Sequence, residues 1–425
     1  MKKIFFKLTS TFLVSIFLSN CGIDSNSLLL DEATQLNNED SYLSEFNAMG
    51  KSEKRFSISF KNKLTPEYIN KLENKLNTKF TRIIPQIGIA VAEKISIEEP
   101  NSKIESSFKA ESNVEDFEQV NLVKLEKIMA ESVDIDDSQA KNQYHLDIID
   151  LNKAWKTTLG KSNIKIAIVD SGIDLNHPDL RKNLIKGKNI IEPNKQPMDD
   201  NGHGTHVAGI VGAVANNGLG VSGVAPNCSI MPVKVLTNGK GSDIDIAEGI
   251  VWATDNDADI INISIGIYTK SKPIEKAVKY ALSKNVVIVS SAGNDSKSSK
   301  IHLPSMIKGV IEVSATDKKD KFATFSNFAQ QISVSAPGDK ILSTLPTYNT
   351  EITAKVGKKY GILSGTSMAS PIVAGIAALI KSKDNSLSNT EIKRIIEYSS
   401  VDLGKKGYDP YFGYGRVSAY NALKF

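Results

Sequence analysis

Cysteine is nearly missing from this 425-residue chain: Cys21 and Cys228 are the only two. A fold stapled by a set of disulfides is therefore excluded. Histidine is scarce as well, with five residues, which leaves little material for a histidine-built metal centre. An excess of either charge is also lacking. The 52 basic and 48 acidic residues leave +4, and Lys and Arg are scattered rather than clustered. That balance implies no nucleic-acid partner. What the chain does have is length and a 40% hydrophobic content, enough for more than one domain and a sizeable core.

Residues 1–20 read as a signal peptide. Lys2 and Lys3 precede an apolar run from Ile4 to Leu18 that Lys7 and several Ser and Thr interrupt, too short and broken for a spanning helix. Leu18-Ser19-Asn20-Cys21 resembles a bacterial lipobox, which implies lipid on Cys21, attachment to a membrane and no disulfide. Asn20 departs from the small residue usual there, and an ordinary cleaved signal remains the other reading. Residues 21–54, rich in Ser, Asn, Asp and Glu, suit a solvated tether. Cys228 precedes the strand-like Ile230 to Leu236 and reads as a small buried hydrophobe.

Residues 55–118 form a small α+β unit by pattern. Phe56, Ile58 and Phe60 alternate with polar residues, Thr65-Pro66-Glu67 opens a helix carrying Ile69, Leu72 and Leu76, and Ile87, Ile89 and Val91 alternate again. Val114 to Glu118 suggests one more short strand, and 119–143 is a polar linker. In residues 144–425 the pattern changes. Ile164–Val169, Ile260–Ile265 and Val286–Ser290 are β-branched runs of the kind buried on both faces. Between and after them come helical stretches at His203–Asn216, Asp243–Asp257, Pro273–Lys284 and Ser367–Lys381. This alternation predicts an α/β fold with a mainly parallel sheet, and chemistry at the C-terminal strand ends.

Four stretches carry that chemistry. Asp170 ends the first run, where a carboxylate can orient a partner; alone it reads more readily as a turn aspartate beside Gly172. His203 stands between Gly202 and Gly204 at a helix start. With His206 it has helical metal-ligand spacing, but no nearby Glu completes a zinc motif, and His206 reads as structural. Asn294, in Ser291-Ala292-Gly293-Asn294, follows a buried run and can offer its amide to a negative oxygen. Ser367, in Gly365-Thr366-Ser367-Met368-Ala369-Ser370-Pro371, enters a helix whose first-turn N–H groups favour an oxyanion; alone it fits an N-capping cluster as well.

An acid, a base, an amide donor and a serine in this order resemble the subtilisin-like serine proteases. The matching stretches are VDSGID, NGHGTHVAG, SAGND and GTSMASP, and the likeness runs on through ADIINISIG and FGYGRVSAYNAL. The resemblance implies a three-layer subtilisin-like fold over 144–425. It implies Ser367 as nucleophile, His203 as base, Asp170 as its orienting acid, and Asn294 with the Ser367 N–H as oxyanion donors. It also implies that Ser264, Ile265 and Gly266 form one wall of the primary substrate pocket and Ser291, Ala292 and Gly293 the other. The backbone near Gly239 to Gly241 supplies another substrate-pairing edge, and His302 falls near the pocket floor. Ile267 stands where relatives often carry a second Gly. Asp179 and Asn217 match a structural calcium site of the family, against the plain alternative of a capping Asp and a turn Asn. Residues 55–118 then resemble an inhibitory propeptide, with Ser96–Ser112 as an insertion and self-cleavage within 119–143. The expected protein is an exported, lipid-anchored endopeptidase made as a zymogen, acting on proteins or peptides without a catalytic cofactor. A catalytically silent binding protein on the same scaffold is the alternative.

Overall fold

The computed structural model describes residues 50–96, 98–131, 142–298 and 302–425. The chain divides between Ser44 and Glu45, and all described residues belong to the second unit. The expected signal peptide and the lipidation candidate Cys21 lie outside the described residues. Among the described residues, no helix is long and apolar enough to cross a membrane.

The N-terminal part of this unit is an antiparallel sheet with two helices. Its elements are β1 (Lys51–Phe60), α1 (Pro66–Leu76), β2 (Thr78–Ile84), β3 (Ile89–Lys94), α2 (Asn101–Lys109) and β4 (Val114–Lys124). Thr65 caps α1 by accepting from the Tyr68 N–H at 3.2 Å, with Pro66 at the first turn. β1 begins four residues inside the stretch read as tether, because Ser52 turns inward between exposed Lys51 and Glu53. The stretch read as an insertion contains α2, whose Ile104 and Phe108, one turn apart, are buried. β4 is longer than expected: it runs on to Lys124 and pairs there with β9 of the following region. A short strand, β5 (Met129–Glu131), follows inside the supposed linker.

From residue 142 the expected α/β fold is present. Its strands are β6 (Lys165–Asp170), β7 (Lys188–Asn189), β8 (Ser229–Lys234), β9 (Lys240–Ser242), β10 (Ile260–Ile263), β11 (Val287–Ser291), β12 (Ile311–Thr316), β13 (Val334–Pro337), β14 (Ile341–Thr344) and β15 (Tyr360–Ser364). The main helices are α3 (His203–Gly212), α4 (Asp243–Asp255), α5 (Lys272–Ser283), α6 (Thr366–Lys383) and α7 (Asn389–Ser399). Seven strands form a parallel sheet in the order β13-β12-β11-β10-β6-β8-β7. Alternate residues of one strand feed different cores: Ile166 and Ile168 pack with α3 and α6 on one face, Ala167 and Val169 with α4 and α5 on the other. Both faces are covered, which is why these strands read as unbroken apolar runs. On α6, a Cβ at Gly375 would lie 2.6 Å from Val224, so the helix is seated closely.

Two smaller sheets join the N-terminal part to this body. β4 pairs with β9 through Val123 opposite Gly241, and β5 pairs with β15 through Met129 opposite Ser364. Asn121 donates to the buried Asp243 carboxylate from both its main chain (3.1 Å) and its side chain (2.6 Å). Arg82 meets Asp245 at 2.6 Å and Glu248 at 3.3 Å. Ile84, Ile87, Val120 and Val123 enter the same apolar cluster as α4 and α5.

Candidate active site

The site is assembled at the C-terminal edge of the parallel sheet. The register sets Ile263 of β10 beside Val169 of β6 and Ser290 of β11. The next residue of each strand is therefore Ser264, Asp170 and Ser291, side by side.

Asp170 is fully buried, and its Oδ1 accepts from the Ser171 N–H at 2.7 Å and from His203 Nδ1 at 2.8 Å. Gly204 permits this closeness: a Cβ there would lie 2.2 Å from Gly172 O and 3.2 Å from Asp170 Oδ1. Burial by itself lowers the His203 pKa, but the charge and hydrogen bond of Asp170, with help from Asp199 and Glu126, outweigh it. The imidazole is held above its ordinary value. Its Nε2 is buried and has no partner among the described residues.

Ser367 is the second residue of α6. Its hydroxyl donates to Ser264 O at 3.1 Å, and Ser264 Oγ donates back to Ser367 O at 3.0 Å. Pro371 explains the second bond. Having no N–H, it leaves the Ser367 carbonyl without its helical donor, and Ser264 fills the gap. Ser370 Oγ donates to Asn262 Oδ1 at 2.7 Å, so β10 and the start of α6 are tied twice. Asn294 accepts at Oδ1 from both the N–H and the hydroxyl of Thr366, each at 2.8 Å. Its amide nitrogen is thereby turned outward, where it donates to Lys127 O at 3.4 Å.

The candidate wall residues, 264–266 and 291–293, are buried. Ile265 sends its side chain into the core, so only its main chain can face a substrate. Into the cleft runs the chain's own segment: Leu125 N donates to Gly239 O at 2.8 Å, Glu126 Oε1 meets His302 Nε2 at 2.7 Å, and Ile128 leads into β5.

His203 and His206 do not face one ligand. His206 Nε2 donates to Gly361 O at 3.1 Å, and burial pulls its pKa down to about 3. Asp179 and Asn217 do meet, but the arrangement does not fit calcium. Asn217 Nδ2 donates to Asp179 Oδ1 at 2.6 Å, the Val221 N–H fills Oδ2 at 3.0 Å, and Asn217 Oδ1 is taken by the Leu219 N–H at 2.9 Å. Calcium needs oxygens turned toward one point, and here they are spent on N–H groups. Cys228 is buried, as expected.

Sequence reasoning missed Thr366, which orients Asn294, and Asp199. Asp199 accepts from Ser171 Oγ (2.9 Å), Gly202 N (2.8 Å) and both the N–H (2.9 Å) and hydroxyl (2.6 Å) of Thr205, fixing the turn into α3. Neither carries a local signal beyond a polar residue in a loop or cap.

The profile of the Subtilase family matches residues 161–415. The chain belongs to that family. A thermophilic serine proteinase of Bacillus sp. (strain AK1) is 42% identical to this subtilase over 273 residues, 64% of each chain. Thermitase of Thermoactinomyces vulgaris is 39% identical over 287 residues, covering 67% of this chain and 97% of thermitase. The crystal structure of fervidolysin from Fervidobacterium pennivorans, described as a keratinolytic enzyme related to subtilisin, superposes with a TM-score of 0.76. It does so at 26% identity over 88% of this chain and 61% of its own. The chain thus spans just under two thirds of the length of the AK1 proteinase and of fervidolysin. The fold is subtilisin-like.

Proposed function

We propose that this subtilase is a serine endopeptidase made as a self-processing zymogen, exported and held at a membrane through lipid on Cys21. Residues 55–118 serve as the inhibitory propeptide, 119–143 hold the activation bond, and 144–425 are the catalytic domain. The observation that carries this reading is the path of residues 122–131. An extended segment pairs antiparallel with β9 before the catalytic groups and with β15 after them, with a main-chain carbonyl facing the Asn294 amide. A peptide substrate adding itself to open strand edges lies the same way.

In the reaction, the Ser367 hydroxyl turns from Ser264 O to His203 Nε2, which takes its proton as Oγ attacks the substrate carbonyl carbon. The resulting oxyanion is bound by Asn294 Nδ2 and the Ser367 N–H. Asp170 holds Nδ1–H and stabilises the imidazolium. The C–N bond breaks as His203 returns the proton to the leaving amine, leaving an acyl-serine. Water then repeats the sequence and releases the acid.

The test is the intact mass of the full chain, purified in detergent, beside Ser367→Ala. Wild type is expected to lose its N-terminal domain and to take a serine-directed phosphonate. Ser367→Ala is expected to stay unprocessed and unlabelled, with peptide hydrolysis down roughly 10⁶-fold, the scale known from subtilisin itself. Full-length, unlabelled wild type would make this a binding protein instead. Lipid on Cys21 predicts partition into a detergent phase that Cys21→Ser abolishes; unchanged partition of the variant would remove the anchor from the proposal.

A further inference from the structure

The cleft holds a polar relay that peptide-bond chemistry does not use. His302 is completely buried, and the Ile267–Leu303 main-chain bonds (3.0 and 2.9 Å) hold it across from Gly266. A Cβ on Gly266 would lie 2.1 Å from His302 Nε2, and one on Gly293 would lie 2.5 Å from Tyr268 Oη. These two polar atoms therefore reach into the slot between the two candidate walls, through space that only glycine leaves open.

Behind His302 the bonds have a direction. Nδ1 is 3.0 Å from Ser305 Oγ, which is 2.8 Å from Oε1 of the buried Glu312. The Ser305 hydroxyl donates on the far side, to Glu312 and to His302 O at 3.1 Å, so its lone pair takes Nδ1–H. In front, Nε2 is 2.7 Å from Glu126 Oε1, another acceptor, so Nε2 donates as well. Tyr268 Oη accepts from Asn327 Nδ2 at 2.8 Å and has its own hydrogen left for Glu126 Oε1 at 3.4 Å. Two donors thus converge on one carboxylate. An apolar side chain in this slot would leave the buried His302 donor unanswered, which costs more than making no bond at all.

We propose that this pocket selects an acidic side chain, glutamate above all, on the acyl side of the bond cut, with His302 as the specificity-determining residue and Glu126 as its built-in first occupant. The proposal rests on the peptidase reading above. Main-chain pairing gives the same register. Val123 lies opposite Gly241 and Leu125 bonds Gly239, so Glu126 is the next residue and the one whose side chain enters. The bond cut in the chain itself is then Glu126–Lys127, with the Glu126 carbonyl taking the place at Asn294 now held by that of Lys127.

The experiment uses the full chain in detergent and three peptides differing only in the residue before the bond: Glu, Gln or Leu. Glu is expected to exceed Gln in kcat/KM by roughly 10- to 100-fold, the worth of charge-assisted hydrogen bonds. In His302→Gln that ratio should collapse to about 3-fold or less, because the ring N–H aimed at the carboxylate is gone. The new N-terminus of the processed wild type should be Lys127. Preference for Leu or Gln, an unchanged ratio in the variant, or an N-terminus at Ile128 would overturn the proposal while leaving the peptidase intact. If His302→Gln does not fold, the wild-type peptide ratio and N-terminus decide. Failure to cut any peptide, with no phosphonate on Ser367, would overturn the peptidase reading and this proposal with it.

Discussion

The two parts of the molecule solve the packing problem with different materials. Every buried phenylalanine among the described residues lies in the N-terminal part: Phe56, Phe60, Phe80, Phe108 and Phe117. Phe56 and Phe117 stack at 5.0 Å, and Phe108 meets Phe117 at 5.6 Å and Phe80 at 6.2 Å. The body buries Ile, Val, Leu, Ala and Gly instead, on both faces of its sheet. A small domain has few interior positions, and large rings fill them with the least chain. The body has interior to spare and uses small residues to bring α3 and α6 tight against the strand ends, where tenths of an ångström decide the chemistry. The first part is held by a handful of residues and leans on its neighbour through Asn121 and Arg82. The second stands as the frame of the site. The contrast suits the removal proposed for the first part and the catalytic role proposed for the second.

Two substitutions break this comparison from opposite sides. Asn294→Ala acts only on the body. It should lower kcat roughly 10²–10³-fold, the cost of this oxyanion donor known from subtilisin, with little change in KM. Steady-state kinetics on the processed protein reads it, and a change confined to KM would show that Asn294 only binds substrate. Phe108→Ala acts only on the N-terminal part, removing the ring at the centre of its aromatic cluster at a cost of about 3–5 kcal/mol. It should slow or abolish processing. Any processed protein that does form should have wild-type kcat/KM, because Phe108 touches nothing in the body. Reduced activity per molecule of processed protein would mean that the two parts are one cooperative fold.

How much of this was legible in the sequence follows the same division. Strands such as β6 and β10 announced themselves as β-branched runs, because covering both faces leaves no polar positions to confuse the pattern. Asp170 and Asn294 were legible because each follows a buried run, His203 and Ser367 because each stands at a helix start. What was illegible depended on distant partners. β4 beyond Glu118 and the three-residue β5 carry too short a pattern to declare strands, which form where β9 and β15 offer open edges. Asp199 and Thr366 are ordinary loop and cap residues until the fold gathers their donors and acceptors. Glu126 looked like linker charge. Helix α2 was missed although Ile104 and Phe108 already stood at helical spacing, since beside the family's compact propeptide the stretch reads only as an insertion.

The smallest effect sharpens the comparison within a single helix. His203 and His206 are both buried on α3, one turn apart, yet their pKa values move in opposite directions. Burial disfavours the charged ring in each case. At His206 only weak main-chain acceptors oppose it, and the value falls to about 3. At His203 the Asp170 carboxylate at 2.8 Å reverses the sign. A base must be neutral to take the Ser367 proton, so activity on an uncharged peptide should be lost as pH falls through the His203 pKa. The midpoint should lie above the ordinary imidazole value of about 6.5. Imidazole NMR of the unprocessed Ser367→Ala chain tests the assignment directly. The His203 signals should titrate above that value, and those of His206 should not move between about pH 5 and pH 8. In Asp170→Asn the charge that opposes burial is gone, so the His203 titration should move to lower pH, toward the behaviour of His206. A His203 that titrated at the same pH with and without Asp170 would show that the carboxylate is not what sets it apart from its neighbour one turn away.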